Sequence, residues 1–437
     1  MQATAILLAA GLGTRMKSTL PKALHAIAGL PMLRHLLDSC APVFDRCVVV
    51  LGPGMDAVAA SAAPHPCVVQ HDRLGTAHAA LQAAAYFGTG DVAVLYADNP
   101  LIRTATLRHL VAARADAGLV LLAMRPADPG RYGRVIVQDG QVQRVVEWAD
   151  ATAEERAIGL CNAGVLCANA VDFARWLSAV KPDNAKGEFY LTDVVAIARA
   201  EGARIVAVEA PEAELRGVNS RAELAAAEAT IQSWLRAAVM EGGATLIAPE
   251  TVFLSADTVL APDVTVEPNV IFGPGVSVAA HARIRAFSHL EGCTIGEGAT
   301  IGPFARLRPG TTIGAGAHVG NFVELKATML GEGAKANHLS YLGDATVGAQ
   351  TNIGAGTITV NYDGYGKHRT VIGAQAFVGS NTSLVAPLQI GDRAFVVAGS
   401  TVTVDVPEDA MAFGRARQVN KAGLAAMYFA ARQKEND

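Results

Sequence analysis

The chain is short of charge, of aromatic rings and of long apolar runs, and each shortage excludes something. Charged residues fill 17% of its 437 positions, and 36 Lys+Arg against 40 Asp+Glu leave a formal net charge of −4. So even a balance gives no footprint for a nucleic-acid backbone and no polybasic arm for a membrane surface. Residues are 51% hydrophobic but only 5% aromatic, so the apolar content is largely Ala, Val, Leu and Ile. No apolar run reaches the roughly 18 residues of a membrane span, because Gly, Pro or a charge interrupts each one. The opening Met1–Gly11 lacks a basic segment, and Arg15 and Lys17 come only after it, so it does not read as a secretion signal. Cys40, Cys47, Cys67, Cys161, Cys167 and Cys293 form no C-x-x-C pair and none sits near a His at zinc spacing. Buried thiols in a cytoplasmic protein are expected.

What is present divides into two textures. In the first half, short β-branched runs (Ala5–Ala9, Cys47–Leu51, Cys67–Gln70, Asp91–Tyr96, Val120–Met124, Arg204–Val208) alternate with helix-like stretches such as Met32–Cys40, Thr76–Ala85 and Thr104–Ala115. That alternation predicts an α/β, doubly wound, mostly parallel Rossmann-like sheet, with ligands at the carboxyl ends of its strands. Ser220 and Glu223 then form an S-x-x-E helix start, Leu224, Ile231 and Leu235 share a face, and Gly242-Gly243 stops the helix. At about 1.5 Å per residue it is long enough to hold two domains apart. The expected division is a first domain over 1–218, a linker helix over 219–243 and a second domain over 244–437.

From about residue 250 a hexapeptide period takes over. Leu260, Val266, Phe272, Val278, Ile284 and Leu290 stand six apart; after a five-residue step come Ile295, Ile301, Leu307, Ile313, Val319 and Leu325. The pattern runs on to Val402, often with Gly after the aliphatic residue, as in Ile295-Gly and Ile353-Gly. One inward aliphatic side chain per six residues, with a small neighbour at the corner, predicts a prism of stacked coils, a parallel β-helix. The period breaks once, at 361–371, where an excursion from a regular solenoid is either a functional loop or a tolerated insertion.

Leu8-Ala9-Ala10-Gly11-Leu12-Gly13-Thr14-Arg15 follows the first strand candidate, with Pro21-Lys22 close behind. Glycines let backbone N–H groups close on phosphate oxygens, and Arg15 and Lys22 add cations. A bare G-x-G also suits a tight strand–helix turn, and Met16 occupies the place of the third glycine of a dinucleotide fingerprint. The fuller L-x-x-G-x-G-T-R…P-K string resembles the signature of nucleoside-triphosphate:sugar-phosphate nucleotidyltransferases. Asp98, after Leu95-Tyr96-Ala97, is at a strand tip, where a carboxylate either binds Mg²⁺ or caps a helix. In the second half His338 is placed as a general base, or as a solvated edge residue, in company with Arg308, Glu324, Lys326 and Tyr341.

Together these motifs resemble the family of bifunctional N-acetylglucosamine-1-phosphate uridyltransferase/glucosamine-1-phosphate acetyltransferases, from the phosphate loop to about residue 415. The resemblance implies a left-handed β-helix, a homotrimer and two sites. In the first, Leu8, Ala9, Ala10, Gly11, Lys22, Gln70, Gly75, Thr76, Tyr96 and Ala97 would hold UTP. Gly133, Glu147 and Asn162 would hold the sugar, and Asp98 and Asn219 would share Mg²⁺. Arg15 and Lys22 would neutralise charge as N-acetylglucosamine 1-phosphate attacks the α-phosphorus. In the second, Arg308, Lys326, Tyr341 and Asn352 would hold glucosamine 1-phosphate, Glu324 would orient or charge-balance the site, and His338 would take the amine proton. Ala355, Asn361, Tyr362, Ser380, Ala398 and Arg415 would line an acetyl-CoA groove. Leu12, Ala97 and Ala163 depart from the family's usual residues, and the tail Asn420–Gln433 reads as a short apolar helix in place of a basic, Trp-containing arm. Two competing readings are a single-activity nucleotidyltransferase with a scaffolding β-helix, and a non-catalytic regulatory subunit; a zinc enzyme is the remotest.

Overall fold

The computed structural model describes residues 3–184 and 186–433; residues 1–2, 185 and 434–437, the last of them the end of the expected tail, lie outside it. The chain divides into two compact units, Met1–Leu235 and Arg236–Asp437.

In the first unit the strands lie in the order Ile205–Glu209, Leu119–Met124, Cys161–Asn169, Asp91–Tyr96, Ala3–Leu8, Arg46–Leu51, Cys67–Val69. All run parallel except Cys161–Asn169, which is antiparallel to both its neighbours. A hairpin, Arg134–Gln138 with Gln141–Val146, joins the sheet beside it. Neither the antiparallel strand nor the hairpin is in the sequence expectation. Ala3–Leu8 is buried at every position because its alternate residues face opposite cores, Ala5 and Leu7 on one side and Ile6 on the other. Helix Met32–Cys40 buries Leu33, Leu36, Leu37 and Cys40 on the first of these cores, the spacing of one helical face.

Helix Arg221–Glu241 runs across the division between the units. Its start is fastened twice: the Ser220 hydroxyl accepts from Glu223 N–H (3.2 Å), and the Glu223 carboxylate accepts from Asn219 N–H (2.6 Å). Arg221 then donates to Met16 O (3.3 Å) and lies 3.2 Å from His25 Nδ1, tying this turn to the loop after the first strand.

The second unit is a parallel β-helix of three sheets. The column of hexapeptide residues from Val266 to Val402 is buried throughout, and only Leu260, in the first coil, is partly open. Each Leu, Ile or Val so enclosed contributes about 1.5–3 kcal/mol. The glycines that follow the column serve coil-to-coil contact: a Cβ at Gly354 would stand 2.6 Å from Ser380 N in the next coil. The corners themselves are taken by residues with positive φ, among them Phe287, Phe304, Phe322 and Leu339. Thr300 pairs with His318 one coil on, whereas Asn352 pairs with Phe377, so the excursion adds seven residues to a coil without disturbing its register.

Candidate active sites

The central strand Ala3–Leu8 ends where Ala9 N–H reaches Val50 O (2.8 Å) and Ala97 N–H reaches Leu8 O (3.1 Å). The backbones of 9–11 and 97–98 are therefore delivered side by side at the carboxyl edge of the sheet. They wall a cavity of about 220 Å³ that is lined by Leu8, Ala9, Ala10, Gly11, Lys22, Gln70, Gly75, Thr76, Tyr96, Ala97 and Asp98, residues scattered over the sequence. Gly75 has φ +126°, and a Cβ there would meet the Phe189 backbone, with its nitrogen at 2.6 Å, so only glycine fits this turn. Arg15 sits on the turn Thr14–Met16, exposed and outside this wall.

Lys22 Nζ forms an ion pair with Asp98 Oδ2 and donates to Asn219 Oδ1 at 2.9 Å. Asp98 and Asn219, far apart in sequence, thus aim two oxygens at one point, and an ammonium group sits on that point. One carboxylate and one amide oxygen, with substrate phosphates to complete the shell, fit Mg²⁺, which favours few protein ligands. The lysine marks the place as one for a cation.

Beyond Tyr96 lies a second group of side chains. Asn162 N–H donates to Gly133 O (2.8 Å), and Asn162 Oδ1 accepts from Gly164 N–H (3.1 Å). Glu147 Oε1 accepts from Thr192 Oγ1 (3.2 Å). A Cβ at Gly133 would come within 3.5 Å of both Glu147 carboxylate oxygens, so the glycine keeps space beside them. Burial pushes the Glu147 carboxyl up. Burial, with Glu147 and Asp150 adding repulsion, pushes Asp193 up to about 6. Tyr96 links the two groups: burial raises its hydroxyl above the usual range, Thr76 hydrogen-bonds it, and Glu147 and Asp98 both act on it.

In the β-helix, Asn321 and His338 face each other across adjacent coils, with Asn321 Oδ1 2.7 Å from His338 Nδ1. The same corner repeats up the solenoid. Leu339, Gly356, Asn381 and Gly399 N–H donate to the carbonyls of Asn321, His338, Ala355 and Ser380. His338, Ala355, Ser380 and, one coil further, Ala398 therefore form one ladder along one edge. Its αL residues change from Phe322 and Leu339 to Gly356, Asn381 and Gly399, so less side chain stands at the corners above the histidine.

Cations gather beside this edge. Arg308 donates to Glu324 Oε1 (3.0 Å), and Lys326 to Asp344 Oδ2 (3.3 Å), which also accepts from Asn361 Nδ2 (2.5 Å). Lys367, on the excursion, touches Lys326, and that contact together with the like charge pushes its ammonium down. The excursion is shaped by Asp363, whose carboxylate accepts from Tyr365 N–H (2.8 Å), Gly366 N–H (2.7 Å) and His368 Nε2 (2.7 Å).

The MobA-like NTP transferase domain matches residues 5–160, and the bacterial transferase hexapeptide (six repeats) matches residues 292–327. A curated relative from Gluconacetobacter diazotrophicus named "Bifunctional protein GlmU" is 69% identical over 100% of this chain and 96% of its own length. The chain belongs to the bifunctional GlmU family. Relatives of the same name from Acidiphilium cryptum and Granulibacter bethesdensis are 64% and 63% identical, covering 98% and 97% of the chain and 98% and 95% of their own lengths. As a GlmU protein the chain is an enzyme with two transferase activities, a uridyltransferase and an acetyltransferase of UDP-N-acetylglucosamine synthesis.

Several residues at these candidate sites escaped the sequence reading. Arg73 donates to Ala10 O (2.9 Å) and lines the cavity at the carboxyl edge of the sheet with Glu188. Thr192 holds Glu147 and no motif marks it; Glu223 reads as part of a helix start, which does not reveal its hold on Asn219. Lys367 had a signal, as a lysine inside the one break of the hexapeptide period.

Proposed function

We propose that the first unit binds UTP in the cavity walled by 9–11 and Asp98 and transfers its uridylyl group to N-acetylglucosamine 1-phosphate, the sugar lying along Gly133, Glu147 and Asn162. The convergence of Asp98 and Asn219 on a single cation position carries this reading. Bound there, Mg²⁺ would neutralise the phosphates and the departing pyrophosphate. The open backbone of 9–11 lets the phosphate chain lie against N–H groups, and Lys22, giving up the Asp98–Asn219 position to Mg²⁺, would meet the phosphates as a second cation. Glu147 and the Asn162 amide accept from and donate to sugar hydroxyls, orienting the 1-phosphate for in-line attack. Arg15, on the loop outside the wall, reaches the phosphates only from the solvent side.

In the second unit, Arg308, Lys326 and Lys367 with Tyr341 and Asn352 would hold glucosamine 1-phosphate, and Glu324 balances the arginine. With Nδ1 engaged by Asn321, His338 has Nε2 left to take the proton of the 2-amine as it attacks the acetyl-CoA thioester. Ala355, Asn361, Tyr362, Ser380, Ala398 and Arg415 would line the coenzyme groove. Acetylation would precede uridylyl transfer. A homotrimer is favoured by Phe287, Phe304 and Phe322, whose rings stack at 5.0 and 5.1 Å yet stay 54%, 45% and 56% exposed. Each also holds a left-handed backbone that costs a non-glycine residue about 1 kcal/mol. A cytoplasmic location is supported by six unpaired cysteines. Among the described residues no helix is long and apolar enough to cross a membrane.

Separating the activities tests the assignment. Asp98→Ala should cut pyrophosphate release by at least a thousandfold and spare acetyl transfer, and His338→Ala should do the converse. Equal loss of both activities in either variant would refute the two-site assignment.

A further inference from the structure

We propose that His78 is a positioning residue for base selection: it fixes which end of the Gln70 carboxamide faces the nucleobase, and so makes the cavity accept uracil and reject cytosine. The proposal rests on the reading of Gln70 and Gly75 as the base subsite. Gln70 is 3% exposed and lines the nucleotide cavity. Its Nε2 lies 3.1 Å from Gly75 O and 3.0 Å from His78 Nδ1. A carbonyl oxygen only accepts, so the end of the carboxamide beside Gly75 is its nitrogen. The second N–H then points at His78 Nδ1, which must carry the ring's lone pair, with the ring proton on Nε2. Gln82 Nε2 approaches that ring nitrogen at 3.3 Å but already has the His78 carbonyl as acceptor at 3.1 Å, so it asks for no second lone pair.

Both Gln70 N–H groups are thereby committed inside the protein, and Oε1 is the atom left for a ligand. Uracil presents a donor at N3 where cytosine presents an acceptor, so a fixed acceptor attracts one and repels the other. A buried hydrogen-bonding group discriminates far more sharply than apolar packing does. Gly75 O alone would restrain one N–H. With the His78 acceptor gone, the carboxamide can turn over and present its nitrogen. Helix Thr76–Leu81 and the neighbouring Phe189 ring, 6.4 Å away, hold the imidazole in place.

The test is steady-state kinetics of the full chain with UTP and with CTP, N-acetylglucosamine 1-phosphate and Mg²⁺, alongside acetyl transfer by the same preparations. His78→Leu should raise KM for UTP about tenfold with kcat changed less than threefold, and should narrow the UTP-to-CTP ratio of kcat/KM by at least tenfold. His78→Asn, whose side-chain oxygen can replace the Nδ1 acceptor, should restore most of that ratio. A thermal melt followed by circular dichroism reports whether the first unit of each variant is folded, and if His78→Leu is not, His78→Phe carries the same expectation. An unchanged ratio in a folded variant overturns the role of His78. Gln70→Leu separates the two levels: if it too leaves KM and ratio unchanged, the base subsite itself is misassigned, whereas an effect there alone removes only His78.

Discussion

Lys367 shows how a single side chain can carry a pH signature. Its ammonium is pushed down by Lys326, so it loses its charge at a lower pH than an ordinary lysine, and the sugar phosphate proposed for this site would then meet one cation fewer. KM for glucosamine 1-phosphate should therefore climb on the alkaline side earlier than an ordinary lysine would dictate, and Lys367→Arg should abolish the early climb. Lys367→Ala should raise the same KM about tenfold at neutral pH with little change in kcat, as loss of one charge-assisted contact predicts. At this scale legibility followed local strings. Gly11, Lys22, Asp98 and His338 stand in recognisable motifs, whereas Arg73 acts on Ala10, a partner that only folding brings near, and no string marks His78.

Asp193, the first residue of helix Asp193–Ala200, belongs to the scale of elements. Its carboxyl is held up to about 6 by burial, Glu147 and Asp150. The folded state thus prefers the protonated form: this stability is fully present below the unfolded pKa near 4 and is lost as pH rises through about 6. Asp193→Asn should stabilise the first unit at pH 7.5 by about 1 kcal/mol, a figure reduced for the group's solvent contact, and should give no gain near pH 4. Thermal melts at the two pH values check it. The elements themselves were unevenly legible. The parallel strands read well because runs such as Val48-Val49-Val50 are buried on both faces. Cys161–Asn169 escaped because Asn162 and Gly164 interrupt its apolar run, and its place in the sheet depends on strands distant in sequence. The hairpin at 134–146 did carry a signal: Asp139-Gly140, with φ of +52° and +72°, is a turn pair between alternating residues.

At the scale of the whole molecule, the exposed phenylalanine ridge, as the proposed trimer interface, would tie assembly to one activity. Phe304→Glu with Phe322→Glu should convert a trimer to monomers by light scattering and lower acetyl transfer at least a hundredfold. Uridylyl transfer, built within the first unit, should fall less than threefold; loss of neither trimer nor acetyl transfer would remove the ridge from the interface. The ladder of His338, Ala355, Ser380 and Ala398 has a metric consequence. Parallel coils are spaced by about 4.8 Å, so the edge is graduated, and Ala398 lies roughly 14 Å along it from the histidine. In the proposed reading, such an edge would be a ruler for the donor. An acyl carrier anchored at the upper rungs brings its thioester to the base only if its arm has the matching length. Removing one whole coil would misplace it by about 4.8 Å, more than the roughly 3–3.5 Å that separates reacting atoms in a productive pose.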